Sequence, residues 1–369
     1  MNDMNFKSIE QLVGQYLRKF PPVFRVAQKA YSISKLLRLL VLGKPGAFNY
    51  LRCFFSALLR KEISHGRPVL LSIEPTNICD QRCTICETGL GILERKPQSM
   101  SFAQFKEILD PFDENLKTLY FYFMGESFLN KDAYKMIRYA ADRGIFVSAC
   151  TNGNRVDAEQ LVKSGIADIQ FQISGTTPES HAQYRVGGDL DRCLANLREV
   201  IRLRNLAGKA LDAPFGMRVG LGFILLKPNE HQQNDFIKMA QNLGVDAWQI
   251  IDPCVRTVEQ GKDLLPEDKK HWIYDIEAFQ KGELKPKSSP DNYCEWLYST
   301  VTIQVNGDVV PCCRDPKGKW ILGNVFEDDI YKIWNGPKYR ALRRAVATRQ
   351  KELTLCRLCE GYSLPEYFK

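Results

Sequence analysis

A chain of 369 residues, 44% apolar and 25% charged, can bury a full core and has room for one large α/β unit plus a smaller module. That balance excludes wholesale disorder. A net charge of +8 and twelve cysteines, with no secretory apolar stretch after Met1, speak against a disulfide scaffold and for metal ligation in a reducing, cytoplasmic compartment.

Residues 1–66 read as a helical, basic, amphipathic extension. No acidic residue lies between Glu10 and Glu62, whereas Arg18, Lys19, Arg25, Lys29, Lys35, Arg38, Lys44, Arg52, Arg60 and Lys61 all do. Ile33, Leu36, Leu37, Leu40 and Val41 recur at helical spacing. Gly43, Pro45 and Gly46 break that run, and Phe48, Leu51, Phe54, Phe55, Leu58 and Leu59 continue as a second apolar face. Neither run approaches the roughly 20 apolar residues of a spanning helix. Such helices lie on an anionic membrane, here its inner face, or pack against a folded domain with their charges in water. Both readings stay open.

From Pro68 the pattern becomes strand and helix in alternation, and residues 67–255 are expected to form one domain. Strands are expected at Val69–Ile73, Leu119–Phe123, Ile145–Ala149, Ile169–Ile173, Val219–Leu225 and Trp248–Ile251. Helices are expected at Phe102–Leu109, Ala133–Ala141, Ala158–Lys163, Leu190–Leu206 and Asn229–Leu243. Parallel strands need crossovers, so six such units imply a partial (β/α)6 TIM-like barrel with its chemistry at the carboxyl ends of the strands. Cys79, Gly125-Glu126-Ser127, Thr151-Asn152-Gly153, Ser174-Gly175 and Asp252-Pro253-Cys254 all fall just beyond strands. His181 and His231 read as surface residues on helix approaches.

Residues 256–290 read as a linker with a helix, rich in Lys, Pro and Ser from Lys281 onward, and residues 291–369 as a small α+β module. Within it a hairpin runs from Ser299–Val305 to Val309–Cys312, and its Asn306-Gly307 step signals a type I′ turn.

Two cysteine sets carry the chemistry. Cys79, Cys83 and Cys86 supply three thiolates at close spacing after the first strand; a 4Fe-4S cube needs four ligands, so one iron stays open to a small molecule. The second set is Cys294, Cys312, Cys356 and Cys359, with Gly307 five residues before Cys312. Four such thiolates suit tetrahedral zinc as well as a saturated cluster. Cys53, Cys150 and Cys193 read as core thiols, and Cys313 should point away from Cys312. Cys254 is open between an inert thiol, a second-cluster ligand and a substrate contact.

The Cys-x3-Cys-x2-Cys spacing after the first strand of a partial barrel resembles the radical S-adenosylmethionine (SAM) superfamily over residues 68–252. The second set resembles the SPASM and shorter twitch domains that follow many such barrels, which favours iron–sulfur over zinc there. The resemblance implies that SAM chelates the open iron of the first cluster and yields a 5′-deoxyadenosyl radical. It also implies one auxiliary 4Fe-4S cluster on Cys294, Cys312, Cys356 and Cys359, and a reducing donor such as flavodoxin or ferredoxin. Residue by residue, Ile85 would border the adenine, and Gly125 and Glu126 would receive the SAM amino group. That motif is altered here, reading Met124-Gly125-Glu126-Ser127. Asn152 and Ser174 would contact the ribose, Arg185 would pair with the SAM carboxylate, and Gly220 and Gly222 would admit the cofactor close to the fifth strand.

The expected reaction is oxidation of a small, anionic, sugar-like or lipid-linked substrate, assisted by the auxiliary cluster, with Asp252 the candidate base. The alternative is maturation of a ribosomal peptide by cross-link, thioether or epimerisation. No nucleic-acid partner is expected.

Overall fold

The computed structural model describes residue 41 and residues 43–361. The first amphipathic run apart from Val41, and most of the proposed N-terminal extension, lie outside the described residues. The first helix whose full span is described, α1 (Ala47–Leu58), starts at Gly46, whose φ of 82° is open to glycine.

The strands are β1 (Leu70–Ile73), β2 (Arg82–Cys83), β3 (Thr118–Tyr120), β4 (Phe146–Thr151), β5 (Asp168–Ile173), β6 (Arg185–Val186), β7 (Arg218–Ile224), β8 (Ala247–Ile251), β9 (Thr300–Ile303), β10 (Asp308–Val310) and β11 (Gly323–Asn324). Six of them, in the order β1-β3-β4-β5-β7-β8, pair in parallel. Helices α2 (Phe102–Leu109), α3 (Ala133–Asp142), α4 (Ala158–Lys163), α5 (Pro178–Tyr184), α6 (Leu190–Ala207) and α7 (Gln233–Leu243) fill the crossovers. Their starts follow capping rules: Ser101 and Gln104 form a capping box at α2, and Asp157 and Asp189 accept the N3 amides of α4 and α6. This is the partial (β/α)6 TIM-like barrel, an open arc with β8 at its edge.

Alternation along the strands separates two faces. Leu71, Ile73, Leu119, Val147, Ala149, Ile169, Phe171, Val219, Leu221 and Phe223 enter one core with Phe105, Met136, Ile137, Leu161, Leu197 and Phe236 of the helices. The opposite face is polar. Ser148 donates to Asp168 (2.9 Å), Arg218 pairs with the same carboxylate (2.6 Å), and Gln172 donates to Gln170 (2.8 Å). Cys150 belongs to this inner wall rather than to the apolar core, its Sγ 3.9 Å from Gln170 Oε1.

The C-terminal module continues the same sheet. β9 pairs in parallel with the free edge of β1, Leu70 opposite Thr300 through Ile73 opposite Ile303, and β10 returns antiparallel. The connecting turn differs from the type I′ expectation. Gln304 and Asp308 close a three-residue loop, and the positive φ falls on Gly307 (86°) and not on Asn306, as in a type I turn followed by a bulge. Here the Gly307 position decides: a Cβ there would stand 2.4 Å from the Phe326 ring.

α1 fastens the module from outside. Its buried face is Ala47, Tyr50, Cys53, Phe54 and Ala57, while Phe48, Phe55 and Leu59 stay exposed, so the apolar face expected from sequence is split between packing and solvent. The packed side is chosen by bulk and by polar reach. The Tyr50 hydroxyl meets the buried Glu295 carboxylate, Trp334 Nε1 donates to Gly66 O (3.0 Å), and Arg343 Nε donates to Leu297 O (2.9 Å).

Candidate active site and metal centres

The first cysteine loop leaves β1 and is pinned at its centre. β2, which contains Cys83, pairs antiparallel with β6, setting Cys83 opposite Arg185, and Thr84 N donates to Tyr184 O (3.2 Å). Arg185 is thereby held beside the cysteine loop by strand pairing. Cys79, Cys83 and Cys86 are all free thiols, and Gln81 N donates to Cys79 Sγ (3.4 Å). Burial pushes the Cys79 thiol up to about 12 and raises Cys83, so these groups shed protons only when a cation compensates.

The loops beyond β3 and β4 lock onto that segment. Gly125 has φ of 77°, and a Cβ there would lie 2.5 Å from Thr76 O and 2.7 Å from Ile78 O, so only glycine fits. Glu126 is buried and accepts from Thr151 Oγ1 and Asn152 N, each at 2.8 Å. Asn152 Nδ2 donates to Asp80 Oδ1 (2.8 Å), and Arg155 reaches the other oxygen of Asp80 (2.7 Å). Ser174 is fully buried and lies against His181, its Oγ 3.5 Å from His181 O. Asn229 Nδ2 donates to Ser174 O (2.8 Å).

Burial lifts the Glu126 carboxyl to about 7 against the amides and hydroxyl that favour its charge. The folded chain then binds a proton more readily than the unfolded one, whose carboxyl titrates near 4.5. Stability therefore falls as pH rises from about 4.5 to about 7. Chemical unfolding at a series of pH values is expected to show this slope in the native chain and a flatter one in Glu126→Gln.

Arg185 reaches Gln81 Oε1 only at 3.5 Å, and its Nε is buried with no hydrogen-bond partner. His181 is fully buried, contrary to the surface reading, because it lies on the inward side of α5; burial and then Arg185 bring its imidazole down to about 4. Ile85 is buried with Leu226, Val255, Leu265 and Tyr274. Gly222 lies under Gln172, whose amide would stand 2.6 Å from an added Cβ, whereas Gly220 has only ordinary contacts. Asp252 Oδ1 is 2.9 Å from His271 Nδ1 at the end of β8. Asp80, Gln81 and Gln172 were not singled out from sequence. Asp80 and Gln81 sit inside the cysteine motif, and that position was the available signal.

The second cysteine set gathers where β10 ends, beside the start of β1, whereas the first loop leaves the carboxyl end of β1. Cys312 follows β10 and packs with Leu70 and Trp296, and Cys294 and Leu355 lie against them. Burial raises the Cys294 thiol to about 12, with the neighbouring thiols of Cys359 and Cys356 adding to it. Cys359 N donates to Cys356 O (3.1 Å), and Gly361 N donates to Cys359 Sγ (3.3 Å). Cys313 is exposed, on the other side from buried Cys312. Leu358, between Cys356 and Cys359, packs on the cluster that contains Ile85, so both cysteine loops share one apolar wall. Among the described residues no three His, Cys, Asp or Glu side chains are grouped to hold a single metal ion.

Two family models match. That of the radical SAM superfamily covers residues 73–206, and that of the SPASM iron-sulfur cluster-binding domain covers residues 294–360. The chain is 24% identical over 245 residues to the AdoMet-dependent heme synthase of Oleidesulfovibrio alaskensis, a match taking in 63% of this chain and 60% of that protein's length. It is 26% identical over 299 residues to the mycofactocin maturase MftC of Mycobacterium tuberculosis, covering 75% and 73% of the two chains. The crystal structure of Streptococcus suis SuiB bound to S-adenosylmethionine superposes with a TM-score of 0.60 at 17% identity, covering 92% of this chain and 84% of that one, a likeness of fold. With its barrel and its cysteine-rich end each matched, the chain belongs to the radical SAM superfamily and carries a C-terminal SPASM domain, and its cofactors are S-adenosylmethionine, the 4Fe-4S cluster that binds it and auxiliary iron–sulfur.

Proposed function

We propose that this radical SAM enzyme oxidises a small, polar, anionic substrate, sugar-like or lipid-linked, held against the inner wall of the barrel. The observation that carries the reading is that wall: Ser148, Cys150, Asp168, Gln170 and Gln172 line it with hydrogen-bonding groups. The residues present suit the cofactor. Arg185 Nε and Thr84 Oγ1 are buried without partners beside the first loop, as a ligand with a carboxylate and hydroxyls would require.

When bound, SAM and its cluster supply a 5′-deoxyadenosyl radical that removes a hydrogen atom. The chain's own residues do the positioning. Arg185 would hold the SAM carboxylate, Ile85 would border the adenine, and Asn152 and Ser174 would meet the ribose. Glu126 clamps the Gly125 loop to Thr151 and Asn152, keeping those contacts in register. Asp252, backed by His271, would take the proton released on oxidation. Cys294, Cys312, Cys356 and Cys359 would hold an auxiliary cluster whose four ligands leave electron transfer as its role. Flavodoxin or ferredoxin would supply the starting electron.

The test is anaerobic turnover of iron- and sulfide-loaded enzyme with a panel of sugar phosphates and nucleotide sugars. The expected product is lighter by a pair of hydrogens, with 5′-deoxyadenosine formed alongside. A second reading, peptide maturation, is favoured by the 299-residue match to a mycofactocin maturase. Turnover of a short precursor peptide in place of the panel would establish it.

Peripheral contact with an anionic lipid surface on the cytoplasmic side is proposed for α1. Among the described residues no helix is long and apolar enough to cross a membrane. Phe48, Phe55 and Leu59 are 69%, 47% and 63% exposed, and Arg52, Arg60 and Lys61 flank them. Cosedimentation with phosphatidylglycerol vesicles is expected to fall about tenfold or more in Phe48→Ser/Phe55→Ser, as loss of two inserted rings requires. Iron content should be unchanged.

A further inference from the structure

A second charged centre stands between the two cysteine loops, outside the residues assigned to SAM. Cys254 Sγ lies 3.0 Å from Arg256 Nη1 and 3.2 Å from Arg314 Nη1, with the Tyr274 hydroxyl at 3.7 Å. Each arginine comes from a different direction. Arg256 also donates through Nε to Glu87 (2.9 Å), the residue after Cys86. Arg314 stands two residues beyond Cys312. Tyr274 donates to Val255 O (2.7 Å), which fixes its phenol beside the sulfur. One cysteine thus joins the loop of the first cluster to that of the second.

Two guanidinium groups aimed at one point repel each other unless an anion lies between them. Glu87 answers one of the two charges. The rest falls on Cys254: burial alone would raise its thiol, but Arg314, Arg256 and the Tyr274 hydroxyl outweigh burial and bring it below an ordinary thiol. Sulfur is a weak hydrogen-bond acceptor, whereas the planar guanidinium fork is made for paired oxygens. Cys254 is only partly buried, and the site opens at the end of β8, two residues from Asp252.

We propose that Arg256 and Arg314 form a subsite for an oxyanion of the substrate, a carboxylate or a phosphate, and that Cys254 is the resident counter-ion which that oxyanion replaces. The proposal rests on the reading of the substrate as a polar anion. On entry the two arginines pass their hydrogen bonds from sulfur to oxygen, and the thiolate takes a proton from solvent, so one negative charge exchanges for another. No electron moves.

The test is a brief iodoacetamide pulse on anaerobic, cluster-loaded enzyme at neutral pH, with modified cysteines located by peptide mass mapping. Cys254 is expected to react about tenfold or more faster than buried Cys53 and Cys193, because the thiolate is the nucleophile. Inorganic phosphate should slow it saturably by about fivefold once present at several times its Kd. Acetate in a parallel arm reports whether a carboxylate does the same, and chloride at equal ionic strength is the control. Arg314→Gln should abolish the protection, and Arg256→Gln, at unchanged iron content, repeats the test from the other side. Cys254 reacting no faster than the buried thiols, or chloride protecting as well as both oxyanions, overturns the proposal. Protection is read without turnover, so failure of the oxidation reading and failure of the subsite are separate results.

Discussion

Replacing Cys79, Cys83 and Cys86 together by alanine is expected to lower iron from about eight to about four per chain and to abolish 5′-deoxyadenosine formation, since each cube holds four irons. The reason is local. Cys79 lies between β1 and β2, Cys83 in β2 and Cys86 just after it, all on the segment that the β2–β6 pairing holds. The auxiliary set is built on other elements, α8 (Trp296–Ser299), the β9–β10 hairpin and the Cys356–Cys359 turn, so its iron should survive. Iron and sulfide counts with product chromatography check both halves. Retention of all the iron would mean the second set holds everything; loss of all of it would mean the two loops fold as one.

The largest effect on stability is expected at Glu74. This carboxylate, fully buried at the end of β1, receives Arg95 through both guanidinium nitrogens at 2.6 and 2.7 Å and also accepts from Val305 N at 3.0 Å. Arg95 Nε continues to Pro316 O (2.7 Å). One acid thus fastens the barrel's first strand, the segment after the cysteine loop and the hairpin of the module. Glu74→Ala would leave Arg95 buried and unpaired, at a cost of about 3–5 kcal/mol. Glu74→Gln keeps the packing and one acceptor and should cost less. Urea unfolding of the three proteins measures this. Equal midpoints would mean that water replaces the pair, and that the module is held by β1–β9 pairing alone.

The barrel was legible because its strands carry short apolar runs between amphipathic helices; five of the expected helices and six strands appear within a few residues of their places. The joining of the module to β1 was not. β9 lies more than 225 residues after β1 in sequence, and its Thr-Val-Thr-Ile pattern says only that one face is apolar, not which edge it will meet. The hairpin turn misled because Asn-Gly serves two loop lengths, and the choice falls to Phe326 packing over Gly307.

At the site, spacing singled out the two cysteine sets, because ligation fixes both number and distance, and the residues proposed around SAM came from the family resemblance. The supports were hidden. Asp80 clamping Asn152, Glu126 clamping Thr151 and Gln172 filling the space over Gly222 are contacts between loops far apart in the chain. His181 was misplaced for a related reason: α5 is short, and its single buried turn has no periodicity to read.

We propose that the two cysteine sets divide the labour, the first starting the radical and the second accepting the electron that completes the oxidation. Cys356→Ala/Cys359→Ala, prepared anaerobically and checked for solubility and for SAM binding, tests this most directly. The expected outcome is continued release of 5′-deoxyadenosine with no oxidised product. Oxidised product at the native rate would contradict it.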